Sequence, residues 1–184
     1  AAPVWPEDWQ QLDGYPDAAI FTAGDNVHHD GLPEDFAECF EPTWGRHKAR
    51  IRPAVGNHEY VTDGAAPYAA YFGAAAGEPG KFYYSYDLGG WHVIVINSNL
   101  TYHDDSPMMT WLRADLAANP AECTLAYWHH PRYSSGVVGG FDSLTELWTD
   151  LYLAGVEFVV SGHDHLYERF TPQDGYARPD PQRG

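Results

Sequence analysis

Positive charge is scarce in this chain. Its 184 residues carry 10 Lys and Arg against 26 Asp and Glu, a formal charge of −16. Such a surface repels nucleic acid and anionic membrane at long range, so neither is expected as a partner. An anionic substrate would need a local reversal of that field, and a bound metal ion is the usual means. Cysteine is scarce too. Cys39 and Cys123 lack metal-site spacing, which argues against a thiolate zinc site and leaves a disulfide and two separate thiols both open. No apolar run approaches the roughly 20 residues of a membrane span. The start has no charged and apolar leader. Ala1-Ala2-Pro3 fits an end left by signal cleavage, hence a secreted or extracytoplasmic protein, and fits an arbitrary boundary equally well.

What is present is apolar and aromatic. Hydrophobic residues make up 44% and aromatics 15%, enough for one globular domain over residues 1–184. Strands are expected at 17–23, 50–55, 82–88, 91–97, 124–128 and 156–160, the third and fourth as a hairpin around Gly89-Gly90. Helices are expected at 7–14, 33–40, 67–72, 107–118 behind a Ser106 cap, and 142–154, with loop at 74–80 and an irregular tail from Thr171. Strands alternating with helices argue for a layered α/β fold with mixed sheets.

Histidine is the informative residue. Six of the ten stand in close pairs: His28-His29, His129-His130, and His163 with His165. Four strands run out into polar residues, at Gly24-Asp25, Gly56-Asn57-His58-Glu59, His129-His130-Pro131 and Gly162-His163-Asp164-His165. In open α/β sheets, sites gather beyond the carboxyl ends of strands. The pool is Asp25, His28, Asn57, His58, His129, His130, His163 and His165. Carboxylate, amide and imidazole together suit Zn, Mn or Fe. Two such ions about 3.5–4 Å apart would clamp a phosphate and generate a hydroxide nucleophile.

In order and spacing, these four motifs resemble those of the calcineurin-like metallophosphoesterases. The closest branch is the purple acid phosphatase-like bacterial proteins, which also resemble the chain at Tyr167-Glu168-Arg169. The resemblance implies a sandwich of two mixed β-sheets flanked by helices, here lacking the first strand and the C-terminal strands. The chain is then a pared-down domain or a piece of a longer one. It implies two ions drawn from Fe, Zn and Mn. Asp25 would bridge them, Asn57, His129 and His163 would complete one, and His165 would bind the other. His58 would contact the phosphate or protonate the leaving alcohol, with Glu59 orienting it.

Two departures stand out. The family's opening aspartate motif, a ligand of the His165 ion, has almost no room before Asp25, and Asp8 and Asp13 fall in the expected first helix. The purple branch's tyrosine, three residues after the bridging aspartate, is His28 here. His28 is therefore a further candidate ligand, without the iron–tyrosinate colour, and a single bound ion is a second outcome. His130 is expected as a supporting donor, and Arg132 or Tyr133 as a substrate contact. Asp164 is expected to point away from the ions. His47, His92 and His103 read as surface or strand residues, the tryptophans as core, and Glu168 with Arg169 as a structural ion pair.

The expected function is hydrolysis of a small phosphorylated substrate, a phosphomonoester, by a metal-bound hydroxide. The alternatives are a phosphodiesterase and a catalytically impaired module holding one ion. An amidohydrolase fits less well, because its His-x-His belongs on the first strand, whereas here it stands near the end.

Overall fold

β-branched and aromatic runs become strands here where turn residues bound them. The computed structural model describes residues 12–182. The expected start of the first helix, with Asp8, lies outside them, as does Ala1-Ala2-Pro3; Leu12–Gly14 is a single 3-10 turn. Strands β1 (Ile20–Ala23) and β2 (Ile51–Ala54) pair in parallel, Ile20 beside Ile51 and Ala23 beside Ala54. A second sheet contains β3 (Tyr84–Leu88), β4 (Trp91–Val95), β5 (Cys123–Trp128) and β6 (Phe158–Ser161), in that order. Strands β3 and β4 form the expected hairpin, and Gly89 and Gly90 take the positive φ values, 59° and 89°, that its tight turn requires. Strands β4, β5 and β6 run parallel. Two sheets are thus present as expected, but only the larger is mixed.

The sheets are tied face to face. Tyr127 Oη donates to the Arg52 carbonyl at 2.7 Å. Tyr68 and Tyr84 both donate to the Pro53 carbonyl, at 3.0 and 2.9 Å. Proline has no amide hydrogen for a ladder, and among the described residues strand β2 pairs on one side only. Ala54, Val93, Val95 and Tyr127 fill the space between the sheets.

Helices close both outer faces. On the β1–β2 side lie α1 (Pro33–Asp35), which continues as a wider π-type turn, Phe36–Phe40, and α2 (Ala66–Phe72). Phe36, Phe40, Tyr68 and Phe72 pack there against Ile20 and Ile51. On the other side lie α3 (Pro107–Ala118) and α4 (Thr145–Ala154), which bury Met108, Met109, Leu112, Leu147 and Leu151 against Ile94, Ile96 and Trp128. Burying each such side chain contributes about 1.5–3 kcal/mol. Ser106 caps α3 by accepting from the Met109 amide, as its position before Pro107 implies.

Several expectations change. His47, expected on the surface or in a strand, is buried in a 3-10 helix, while His92 is a strand residue as expected and is buried too, with exposures of 8% and 2%. His92 sits on β4 between two carboxylates, Asp87 at 2.9 Å and Asp115 at 2.8 Å, which gives an imidazole in a core-facing position its partners. Arg50, expected to open a strand, instead ends a 3-10 helix, Trp44–Arg50, and the strand starts at Ile51. Among the described tryptophans, Trp128 is wholly buried and Trp44, Trp91, Trp111 and Trp148 pack against the cores, as expected. Both cysteines are free thiols, Cys39 exposed and Cys123 partly buried. Among the described residues, no helix is long and apolar enough to cross a membrane.

Candidate metal centre

The carboxyl ends of β1, β2, β5 and β6 meet at one edge of the sandwich. The Gly162 amide donates to the His129 carbonyl at 2.9 Å, which joins the turns after β5 and β6. The turns after β1 and β2 approach so closely that a Cβ on Gly56 would occupy the space of the Asp25 amide and carboxylate. Gly24, at φ 85°, lies under the His129 ring, where a Cβ would meet ring carbon at 2.7 Å. Both motif glycines are therefore there for backbone approach.

Four polar atoms converge in this corner. His129 Nε2 lies 2.9 Å from Asn57 Oδ1 and 3.0 Å from Asp25 Oδ2. His163 Nδ1 lies 2.9 Å from the same Asn57 oxygen and 3.1 Å from His129 Nε2. The other nitrogen of His129, Nδ1, donates to the Ala23 carbonyl at 2.8 Å, so in the neutral ring Nε2 is an acceptor. In the tautomer that leaves His163 Nδ1 unprotonated, the four are acceptors facing one another at about 3 Å, an arrangement a cation among them relieves, and edges of that length suit metal–ligand bonds of about 2.1 Å.

The electrostatics favour the metal-ready forms. Burial alone would raise the Asp25 carboxyl, but His129 and His58 together hold it below its ordinary value. Burial and the neighbouring His129 push His163 down, and burial with His58 pushes His28 down. Neutral imidazoles and an ionised carboxylate are what a cation binds.

Across Asp25 stands a second histidine group. The ring of His28 is 4.3 Å from that of His58 and 5.7 Å from that of His165. His58 Nδ1 donates to the His29 carbonyl at 2.5 Å, and its Nε2 is 3.8 Å from Asp25 Oδ2. Among the described residues, no ion pair joins His28 or His165 to a carboxylate. His29 is exposed, as expected.

A family model described as calcineurin-like phosphoesterase matches residues 7–167. The chain belongs to the calcineurin-like phosphoesterase family. It is 30% identical to Purple acid phosphatase 18 of Arabidopsis thaliana over 165 residues, covering 80% of this chain and 36% of that one. It is 31% identical to Purple acid phosphatase 21 of the same plant over 167 residues, covering 77% and 38%. The chain thus spans about a third of the length of these curated relatives. Two solved structures share the fold at 18% identity. A purple acid phosphatase from yellow lupin seeds has a TM-score of 0.65 over 84% of this chain and 32% of its own. GAP50, the anchor in the inner membrane complex of Plasmodium, has 0.57 over 84% and 58%.

Around the phosphoesterase corner, three supporting residues behave differently from expectation. Glu59 does not hold the His58 ring. Its carboxylate is buried and accepts four backbone amides, Asn26 at 2.6 Å and Val27 at 3.3 Å on Oε1, Gly56 at 2.6 Å and Asp25 at 3.1 Å on Oε2. Glu59 is the clamp between the loops that carry Asp25 and Asn57, and burial pushes its carboxyl up. Arg132 and Tyr133 are engaged with the protein itself. Arg132 pairs with Asp142 at 2.8 Å and donates to the Gly175 carbonyl, while Tyr133 Oη donates to the Asp174 carbonyl. Both fasten the 174–178 segment to the fold. Glu168 accepts from the Ser135 amide and hydroxyl and forms no ion pair with Arg169 among the described residues.

Asp164 turns away from the corner, as expected, and accepts from Ser134 Oγ at 2.6 Å. His130 lies with its ring 4.7 Å from that of His163, and its Nδ1 is 2.8 Å from Ser98 Oγ. Two neighbours were not legible as site residues: Ser98, and Phe141, whose ring lies 5.0 Å from His130 and 5.5 Å from His163. Ser98 had a signal, since it too stands in the turn beyond a strand. Phe141 had none.

Proposed function

We propose that this domain hydrolyses phosphate esters, chiefly monoesters of small molecules, with metal ions as cofactors. The observation that carries the reading is the convergence of Asp25, Asn57, His129 and His163 on one point, each with an atom that can ligate a metal foremost. These four would hold one ion. Asp25, shared with His28 and His165, would hold a second. Such ions supply positive charge for the phosphate and activate the attacking water. Their charge also answers the surface of −16 that would otherwise repel an anion.

The chain's own residues do the rest. Asp25 receives the His58 amide at 3.0 Å, which fixes the carboxylate while its other oxygen faces His129. His58, anchored through Nδ1, keeps Nε2 as the nitrogen that gains and loses a proton beside Asp25. It is placed to protonate the departing alcohol. Glu59 holds both loops in register, so a ligand set drawn from four separate strand ends stays assembled.

Hydrolysis of p-nitrophenyl phosphate with added Mn, Zn or Fe tests the reading. If wild type does no better than an Asp25→Ala/His163→Ala double variant with any of the three, it fails. A second reading, an impaired module with one ion, draws on the absence of an ion-paired carboxylate at His28 and His165 among the described residues. Metal counting separates the two, since two tightly held ions per chain exclude the impaired form. An extracytoplasmic location belongs to the first reading as well, and fractionation of producing cells tests it.

A further inference from the structure

We propose that His130 is a third imidazole on the Asn57–His129–His163 ion. His129, His130 and His163 each offer one ring nitrogen, and these nitrogens all lie within 4.8 Å of one another, the one such group of three found among the described residues. Nitrogens on one ion, with bonds of about 2.1 Å, lie at most about 4.2 Å apart, so only a small ring adjustment is needed to bring all three onto one ion. The His130 ring is 5.0 Å from His129 and 4.7 Å from His163, so it borders the same corner.

The surroundings of His130 are those of a held ligand. Ser98 Oγ accepts the His130 backbone amide at 3.0 Å and lies 2.8 Å from ring Nδ1. That hydroxyl has a second lone pair able to take an Nδ1 hydrogen, and in that tautomer Nε2 is unprotonated and free to bind an ion. Metal-bound histidines are oriented this way, with the second ring nitrogen donating to a fixed oxygen. The Trp128 indole holds the His130 carbonyl at 2.5 Å, and Phe141 packs against the rings of both His130 and His163. Backbone and ring are thus both constrained at His130. With His130 included, the ion would have three imidazoles, one amide oxygen and the shared carboxylate. That set is rich in nitrogen and suits Zn(II) or Co(II) better than Fe(III).

This inference rests on the phosphoesterase reading only in requiring an ion at this corner. The test is titration of the metal-stripped protein with Zn(II) by calorimetry, and with Co(II) by visible absorption. Wild type, His130→Ala, Ser98→Ala, His163→Ala and His103→Ala are compared, His103 being an exposed histidine outside the group of three. His130→Ala should weaken the tightest site at least about tenfold and change the Co(II) band, added imidazole should restore the band, and Ser98→Ala should weaken binding by a smaller factor, as loss of an orienting partner does. His103→Ala should match wild type. Far-UV circular dichroism of the stripped forms separates misfolding from ligand loss, and His130→Asn serves if the alanine variant does not fold. If His163→Ala loses the ion while His130→Ala binds as wild type does, the third-imidazole assignment is wrong and the phosphoesterase reading stands. If wild type itself binds neither ion, both fail.

Discussion

Removing the Glu59 carboxylate should cost this domain a large part of its stability, with no substrate involved. Its two oxygens divide the work evenly: Oε1 takes Asn26 and Val27, and Oε2 takes Asp25 and Gly56. Three of these amides belong to the turn after β1 and the fourth to the turn after β2. Leaving a buried donor unpaired costs about 1–3 kcal/mol. At the low end of that range, four amides make the loss for Glu59→Ala about 4 kcal/mol, a large share of the 5–15 kcal/mol typical of a domain. Glu59→Gln keeps one acceptor oxygen and turns an amino group toward the other pair, so about half of that loss, roughly 2 kcal/mol, is expected. The assay is urea unfolding of metal-stripped protein, followed by circular dichroism, so that ion binding does not enter. The order wild type, Gln, Ala should appear in the midpoints at unchanged slope. Zn(II) affinity should fall in the same order, because the loops carrying Asp25 and Asn57 come apart together. An alanine variant within about 1 kcal/mol of wild type would refute the clamp, since water would then satisfy the amides as well as the carboxylate does.

Four further outcomes follow from the same geometry. Burial alone would lower the His92 imidazole, but Asp87 and Asp115 outweigh it and raise its pKa above 6.5. The stability it adds is present below pH 6.5 and lost as pH rises through the higher folded value, so urea midpoints should fall from pH 6 to pH 9 and His92→Gln should flatten that slope. Gly56→Ala should abolish tight metal binding and destabilise by at least about 2 kcal/mol, because its Cβ has no room beside Asp25, as calorimetry and urea melts would show. Arg132→Ala should lower the melting temperature and expose the 174–178 segment to protease while leaving KM for p-nitrophenyl phosphate within about twofold, as expected for a residue that fastens rather than binds. Native protein should react quickly at Cys39 with a thiol reagent and slowly at Cys123, and prior reduction should not raise the count above the two thiols.

Local chemistry already carried much of the architecture. The run from Trp91 is β-branched and apolar, and Gly89-Gly90 before it permits only a tight turn, so the β3–β4 hairpin was legible. Ser106-Pro107 marked the start of α3, and Leu144, Leu147 and Leu151 marked the buried face of α4. Trp44–Arg50 was not legible, because a seven-residue 3-10 turn has neither a strand's nor an α-helix's period. His92 looked ordinary in sequence. Only the pairing of β3 with β4 and the packing of α3 bring Asp87 and Asp115 to its two nitrogens.

The sequence alone named the ligand candidates, because motif glycines followed by Asp25, Asn57 and His163, and a strand running straight into His129, leave a chemical mark that needs no coordinates. Partnership was not there to be read. Asn57 and His129 are 72 residues apart, and His163 and Asn57 are 106 apart, so their 2.9 Å contacts exist only through the parallel pairing of β1 with β2 and β5 with β6. The same folding took Glu59 from the His58 ring to four amides, and Arg132 from a substrate to the 174–178 segment. A side chain's chemistry is local and survives in the sequence. What it touches is set by contacts between distant segments, which only the packed sheets decide.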